Sequence, residues 1–477
     1  MSSLSALNSL LGSSAATDLS QILEAATGAS SPGIDVSSAV SASITGAEAP
    51  ETNWENEQTT LQNQTSALTS LQSDATNLDN DMQSLNSLTG PLAAASATSS
   101  NPSVVTASAA PGSAVGNNIV VVNTLASTAS FSSTAVTNAT TDLPTGETIT
   151  ITPTAGSAKT YSTGSNGINT LTDLENAINT GGLGVTASII TDATGSRLAI
   201  VSDTPGSAGS FTAAATGGGT GGTFGFVSGS PGVNSSITVN GIVIQSATNT
   251  VTGAISGVTL NLLGTEPGTD ISVNVAPNTA EASNAINQFV NDYNTLIGAI
   301  NTQYSDTGSG QGVLSDDPTL ENLQNTLLQA LNYTASPASG STSTSVPNLS
   351  SLGITMNTDG TMSIDSSTLS GALQNNFSDV RNFFQGSALN GFANSMDQQL
   401  TNFTSPANGA FTVDLQSIST ENTGLETDIT NFQANVIAPL KIQLTTEYSN
   451  AEIALQQLPA EIKDVDAELG QNNSSNG

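Results

Sequence analysis

The sequence predicts an α+β multidomain chain: a discontinuous, coiled-coil-like helical stalk drawn from both chain ends, with two β-rich head domains inserted in it. Three observations predict it. A heptad track runs through residues 51–92, a second three-four track runs from residue 415 to 469, and the apolar period shortens to that of strands over residues 100–276.

In chain order, residues 1–49 lack both a basic start and a continuous apolar core, so they read as a flexible export or leg segment without a cleavable signal. Trp54, Leu61, Leu68, Ala75 and Met82 then fall seven apart, and Leu71, Leu78, Leu85 and Leu92 form a second track three residues on. Alternating steps of three and four put one apolar stripe on a helix and give it a partner-seeking seam. Gly90-Pro91 supplies a stop. An ordinary amphipathic bundle helix has the same pattern, and only the identity of the partner separates the two.

Short β-branched runs follow, Val104–Ala107, Ile119–Asn123, Thr148–Thr152, Val185–Thr191, Arg197–Ser202, Ile237–Val239, Ile242–Ile244, Val258–Leu263 and Ile271–Val275. Gly, Pro, Asn and Asp bound them, as strands require. Asn240-Gly241 marks a two-residue hairpin turn, and one short helix at Leu171–Ile178 is introduced by Asn169 or Thr170. Helical spacing returns with Ala285 to Tyr304, with a helix capped by Asp317-Pro318, and with one carrying Leu369, Leu373, Phe377, Val380, Phe383 and Phe384. Asp359-Gly360 lies between two short apolar runs and marks a second hairpin.

The closing track reads Leu415, Ile418, Leu425, Ile429, Phe432 and Val436, then Leu440 to Leu469. Three consecutive steps of four between Val436 and Tyr448 form a stutter, and Pro439 and Pro459 predict helical segments rather than one rod. The two terminal tracks are expected to pack on each other, with both chain ends at one end of the stalk. Trp54, Leu61, Leu68, Leu71, Leu78, Leu85, Ile429, Phe432 and Leu455 are the expected seam. The domains are then 1–49 as the flexible segment, 50–98 with 276–469 as stalk, 99–134 with 232–275 as inner head, 135–231 as outer head, and 470–477 as a disordered tail.

Composition narrows the function. The chain has 477 residues, of which 38 are acidic and 5 basic, with no His and no Cys. That excludes a Ser-His-Asp triad, a Cys/His zinc site and any disulfide. Five cations (Lys159, Arg197, Arg381, Lys441, Lys463) cannot track a phosphate backbone, so no nucleic-acid partner is expected. No run of about 18 apolar residues is present, so no membrane span is expected. A GxGxxG match (Gly217, Gly219, Gly222) has no leading strand or nearby cation and reads as a loop. The acidic pairs read as a helix cap (Asp316/Asp317) and as solvated helix faces (Asp79/Asp81, Asp464/Asp466). The acidic tract Asp306–Asp317 lacks EF-hand spacing. No catalytic, cofactor-binding or metal-ligating residue is assigned.

Several segments, in order, resemble the bacterial flagellar filament cap family of hook-associated protein 2. They are GIDV at 33–36, LQNQTSALTSLQSD, residues 101–127, residues 168–202, ITVNGIVIQSATNTVTGAISGVTLNLLG, NQFVNDYNTL, GVLSDDPTL, LGITMNTDGTMSID and VRNFF. The resemblance implies a non-enzymatic, secreted structural protein at the distal filament tip. It implies a ring-like homo-oligomer that guides exported flagellin into place and prevents its loss. Flagellin, the hook-filament junction protein and a cytoplasmic export chaperone are the implied partners, and adhesion by the outer head is permitted. The rival readings are a surface adhesin, which predicts a tandem repeat and a cleaved signal that the sequence lacks, and another flagellar axial protein.

Overall fold

A computed structural model describes residues 35–217, 224–305, 310–337 and 344–474. The first helix, α1 (Val36–Ala47), begins where the Asp35 carboxylate accepts from the Ser37 and Ser38 amides at 3.1 and 3.2 Å. Residues 36–47 are therefore a capped helix with an apolar stripe of Val40, Ile44 and Ala47, not flexible as expected; residues 1–34 lie outside the described residues. Helix α2 (Ala49–Asn86) has 38 residues and is about 57 Å long. It ends four residues before Gly90, so Leu92 leaves the helix, although its side chain is still buried in the same core.

Two β cores follow. The strands, in order, are β1 (Ala95–Ser99), β2 (Val105–Ala109), β3 (Gly116–Thr124), β4 (Ser130–Ser133), β5 (Thr148–Pro153) and β6 (Lys159–Ser162). After α3 (Leu171–Asn179) come β7 (Val185–Asp192), β8 (Gly195–Ser202), β9 (Phe211–Thr216), β10 (Phe226–Ser228), β11 (Ser235–Val239), β12 (Ile242–Ser246), β13 (Thr250–Ile255), β14 (Val258–Leu262) and β15 (Ile271–Pro277). A five-stranded sheet, β1-β15-β3-β11-β12, and a three-stranded one, β13-β14-β2, share a core of Val120, Val122, Ile237, Leu260 and Val273. A four-stranded sheet, β10-β4-β8-β7, a three-stranded one, β6-β5-β9, and α3 share the other, with Ile149, Leu174, Leu198 and Ile200. The β11–β12 turn is the expected Asn240-Gly241 hairpin, both residues at positive φ, 49° and 85°. Thr170 caps α3 in a reciprocal box with Asp173.

Sheet membership moves two of the expected boundaries. Residues 130–133, placed with 99–134 in the inner head, pair with β8 (Phe131↔Ile200). Residues 95–98, placed in the stalk, pair with β15. Six strands, β1, β4, β6, β9, β10 and β13, were not foreseen. Ser, Thr, Ala and Gly dominate most of them, so they carry little of the apolar contrast from which a strand period is read. Gly219 and Gly222 of the glycine-rich match lie outside the described residues.

The helical part resumes with α4 (Thr279–Tyr304), capped by Asn278, and α5 (Pro318–Ala330), capped by Asp317, which accepts from the Thr319 amide at 2.8 Å. The hairpin β16 (Ile354–Met356) and β17 (Met362–Ile364) follows, with Gly360 at positive φ in a five-residue loop. The single helix expected over Leu369–Phe384 breaks at Asn376 into α6 (Ser366–Asn375) and α7 (Phe377–Gln385), while both halves still feed the core. Then come α8 (Phe392–Thr404), α9 (Ala410–Phe432) and α10 (Ala438–Ser474).

Between α9 and α10 the chain makes one π turn, Gln433–Ile437, in which the Ala438 amide donates five residues back to the Gln433 carbonyl. The wider turn falls at the stutter and relieves the clash that Pro439 brings, so the helix is not broken there. Pro459 lies inside α10 without ending it. Its surroundings are exposed, so the carbonyl freed at Leu455 can be solvated. The expected tail is helical through Ser474, and residues 475–477 lie outside the described residues.

Candidate functional site

The expected seam divides into two kinds of packing. In its lower part α2 runs antiparallel to α9. The Trp54 ring meets Phe432 edge to face at 5.5 Å, Gln58 Nε2 donates to the Asn422 carbonyl at 3.5 Å, and Gln72 Nε2 donates to Thr412 Oγ1 at 3.5 Å. Gln433 Nε2 also donates to Glu51, while Leu61 and Leu425 are buried. The aromatic contact adds about 0.5–1.5 kcal/mol beyond the area it buries. Helix α1 lies on the start of α10. Val40, Ile44, Ala47 and Ile437 form a small core there, and the Ser43 and Tyr448 hydroxyls bond at 2.9 Å. The first described helix and the start of α10 thus pack side by side.

In its upper part the same stripe of α2 enters a many-helix core instead of a two-stranded coiled coil. Leu68, Leu71, Leu78 and Leu85 are buried among Ile286, Phe289 and Tyr293 of α4 and Met396, Leu400 and Phe403 of α8. The bundle alternative therefore describes residues 68–85, because α4 and α8 both pack on α2 there. Ile429 on α9 and Leu455 on α10 are half-buried, and neither joins any of the apolar cores among the described residues. Trp54 and Phe432 thus meet in one place, and Leu68, Leu71, Leu78 and Leu85 share the helical core in another.

Other residues with a part in this site escaped sequence reasoning. Gln385 is 5% exposed and donates from Nε2 to the carbonyls of Leu85 (3.2 Å) and Ser87 (2.9 Å), where α2 ends. The Leu85 carbonyl has no partner inside the helix, whereas the Ser87 carbonyl also accepts from the Gly90 amide at 3.1 Å. Helix α10 leaves apolar side chains open, with Ile442 at 69%, Ile453 at 53% and Leu458 at 45% exposure. Leu458 lies on the expected closing track, whereas Ile442 and Ile453 sit beside it, and their excess over a two-per-heptad stripe is the available signal. Ile242 and Val243 are likewise exposed on β12, an edge strand of its sheet.

The acidic pair Asp79/Asp81 is not a solvated face. Asp79 is buried against α8, where Thr404 Oγ1 and Gln83 Nε2 donate to its Oδ2 at 3.4 Å each, and Asp81 is turned toward α4. Burial, followed by the neighbouring carboxyl, pushes both to about 7. Asp317 is raised in the same direction by burial and then by Asp414, across a hollow of about 300 Å³ that Gln64 and Asp316 also line. Among the described residues no three carboxylates converge to hold a metal ion. No described helix is long and apolar enough to cross a membrane.

Comparison with known proteins agrees with this architecture. Residues 32–129 match the family described as flagellar hook-associated protein 2 N-terminus, and residues 232–460 match flagellar hook-associated protein 2 C-terminus, together well over half of the chain. Neither match includes residues 130–231, the stretch that holds the second β core. The chain is similar to the B-type flagellar hook-associated protein 2 of Pseudomonas aeruginosa, 30% identical over 59% of this chain and 63% of that protein. It is also similar to the flagellar hook-associated protein 2 of Salmonella typhimurium, 28% identical over 48% of this chain and 45% of that one. These matches span less than two thirds of the relatives' own length. Among solved structures, the D1-D2-D3 domains of the Escherichia coli flagellar cap protein FliD superpose with a TM-score of 0.58 at 25% identity, over 76% of this chain and 99% of that one.

Proposed function

Because the chain belongs to the flagellar hook-associated protein 2 family, we propose that it is a structural cap at the distal end of the bacterial flagellar filament. In this reading α1, α2 and α4–α10 form the stalk, and the two β cores form an inner and an outer head. Several copies assemble into a ring that guides exported flagellin into the filament and prevents its escape. The protein works outside the cell, reached without a cleaved signal, and the hook-filament junction protein and an export chaperone are further partners. The contribution is mechanical: Trp54, Leu61, Leu68, Leu71, Leu78, Leu85, Ile429, Phe432 and Leu455 serve folding and leg contacts, not chemistry. The observation that carries the reading is the fold likeness to a flagellar cap protein over three quarters of the chain.

Deleting the gene tests it. The expected result is flagellin accumulating as monomer in the medium with few or no filaments, restored by supplying this chain. Normal filaments in the deletion strain, or loss of flagellin secretion altogether, would exclude the cap role.

A further inference from the structure

Residues 79 and 81 are two positions apart on α2, about 200° around the helix, so they face different neighbours. Asp79 meets Asp397 of α8 at hydrogen-bonding reach, and Asp81 meets Asp292 of α4 in the same way. Both sit at the level of Leu78 and Met82 at the edge of the helical core, Asp79 buried and Asp81, Asp292 and Asp397 half-buried. Asp79 Oδ1 and Asp81 Oδ2 are shielded from solvent and have no hydrogen-bond donor. Two carboxylates facing each other with part of their hydration removed favour holding one proton, because repulsion adds to the loss of hydration. One proton held between them supplies the missing donor and removes one of the charges.

We propose that two proton-sharing carboxyl pairs, Asp79–Asp397 and Asp81–Asp292, clamp α2 to α8 and α4, so that the helical core tightens in acid and loosens toward neutral pH. Burial and the facing carboxyl favour the shared proton, and the Thr404 hydroxyl opposes it without reversing the balance. Facing Asp79 are Asp397 from α8, the Thr404 hydroxyl and the Gln83 amide; facing Asp81 is Asp292 from α4, which in turn accepts from Gln288 Nε2 at 2.9 Å and approaches Asp74 of α2. Neither α7 nor α9, the other helices on α2, brings a lysine or arginine to either pair. Burial raises Asp79 and Asp81 to about 7 from an ordinary 3.8. A carboxyl raised in the folded state contributes stability that is fully present below about pH 4 and is lost as pH rises through about 7. This is opposite to the usual salt-bridged aspartate.

The test is thermal unfolding of the full chain at constant ionic strength between about pH 4.5 and 7.5. The helical transition of the wild type is expected to fall by several degrees across that range. The double variant Asp79→Asn, Asp81→Asn carries a permanent amide donor in each pair and should lose at least half of that slope. A wild-type transition that is flat or rises with pH overturns the proposal, as does an unchanged slope in the double variant. If the double variant does not fold, proton uptake on refolding the wild type from urea at about pH 5.5 decides. Uptake of about one to two protons per chain supports the pairs, and none or net release refutes them.

Discussion

Replacing Gln385 by leucine removes the one side chain that closes the end of α2. Its amide reaches two carbonyls, at 3.2 Å to Leu85, which is buried, and at 2.9 Å to Ser87, which is half-buried. A buried acceptor left without a donor costs about 1–3 kcal/mol. The Ser87 carbonyl keeps the Gly90 amide at 3.1 Å, so losing the glutamine there adds little. Leucine fills most of the same volume and leaves little cavity, so the total is roughly 1–3 kcal/mol. For a helical unit of this size each kcal/mol moves the midpoint by about 2–4 °C, which gives a fall of about 2–12 °C. Calorimetry of the full chain reads it as a drop confined to the helical transition, with the β cores unmoved. Gln385→Glu sharpens the test. Its carboxylate faces two carbonyl oxygens at neutral pH, so the drop should exceed that of leucine and should shrink below about pH 4, where the acid regains a donor. A helical transition within about 1 °C of wild type for both variants would refute the capping role.

Two further substitutions read the other parts of the molecule. Leu71→Asp buries an unpaired charge among Leu68, Ala75 and the α4 side chains, and should destabilise the helical core by about 3–5 kcal/mol by chemical denaturation; wild-type stability would contradict the seam. Thr170→Ala removes one half of the box that starts α3, and should lower the transition of the second β core by about 1–2 kcal/mol while leaving the helical one in place.

Much of the fold was legible because it depends on rules that act over a few residues. The caps at Thr170 and Asp317 and the Asn240-Gly241 turn each need only a side chain and the next few amides. The stripe of α2 was equally plain, since every third or fourth residue is apolar. What it packs against was not, because the same stripe serves a two-helix seam at Trp54 and a many-helix core at Leu78. The strands built from Ser, Thr and Ala were missed for a different reason: their burial comes from the sheets above and below them, and their own side chains carry little apolar contrast. Asp79 and Asp81 had the look of solvated positions because charge predicts exposure, and the carboxyls opposite them lie more than two hundred residues away.

By itself, the sequence determined the order of helical and β segments and the exclusion of any His- or Cys-dependent site. Period, turn chemistry and composition are local or additive, and they survive without knowledge of neighbours. Tertiary structure alone decided where α2 stops, through a glutamine 300 residues from the carbonyl it bonds, and which strands share a sheet. It also decided that Pro439 would be absorbed by a wider turn and that two aspartates would face two others across the core. Each of these depends on a partner brought close by the fold, and spacing along the chain carries no record of that distance.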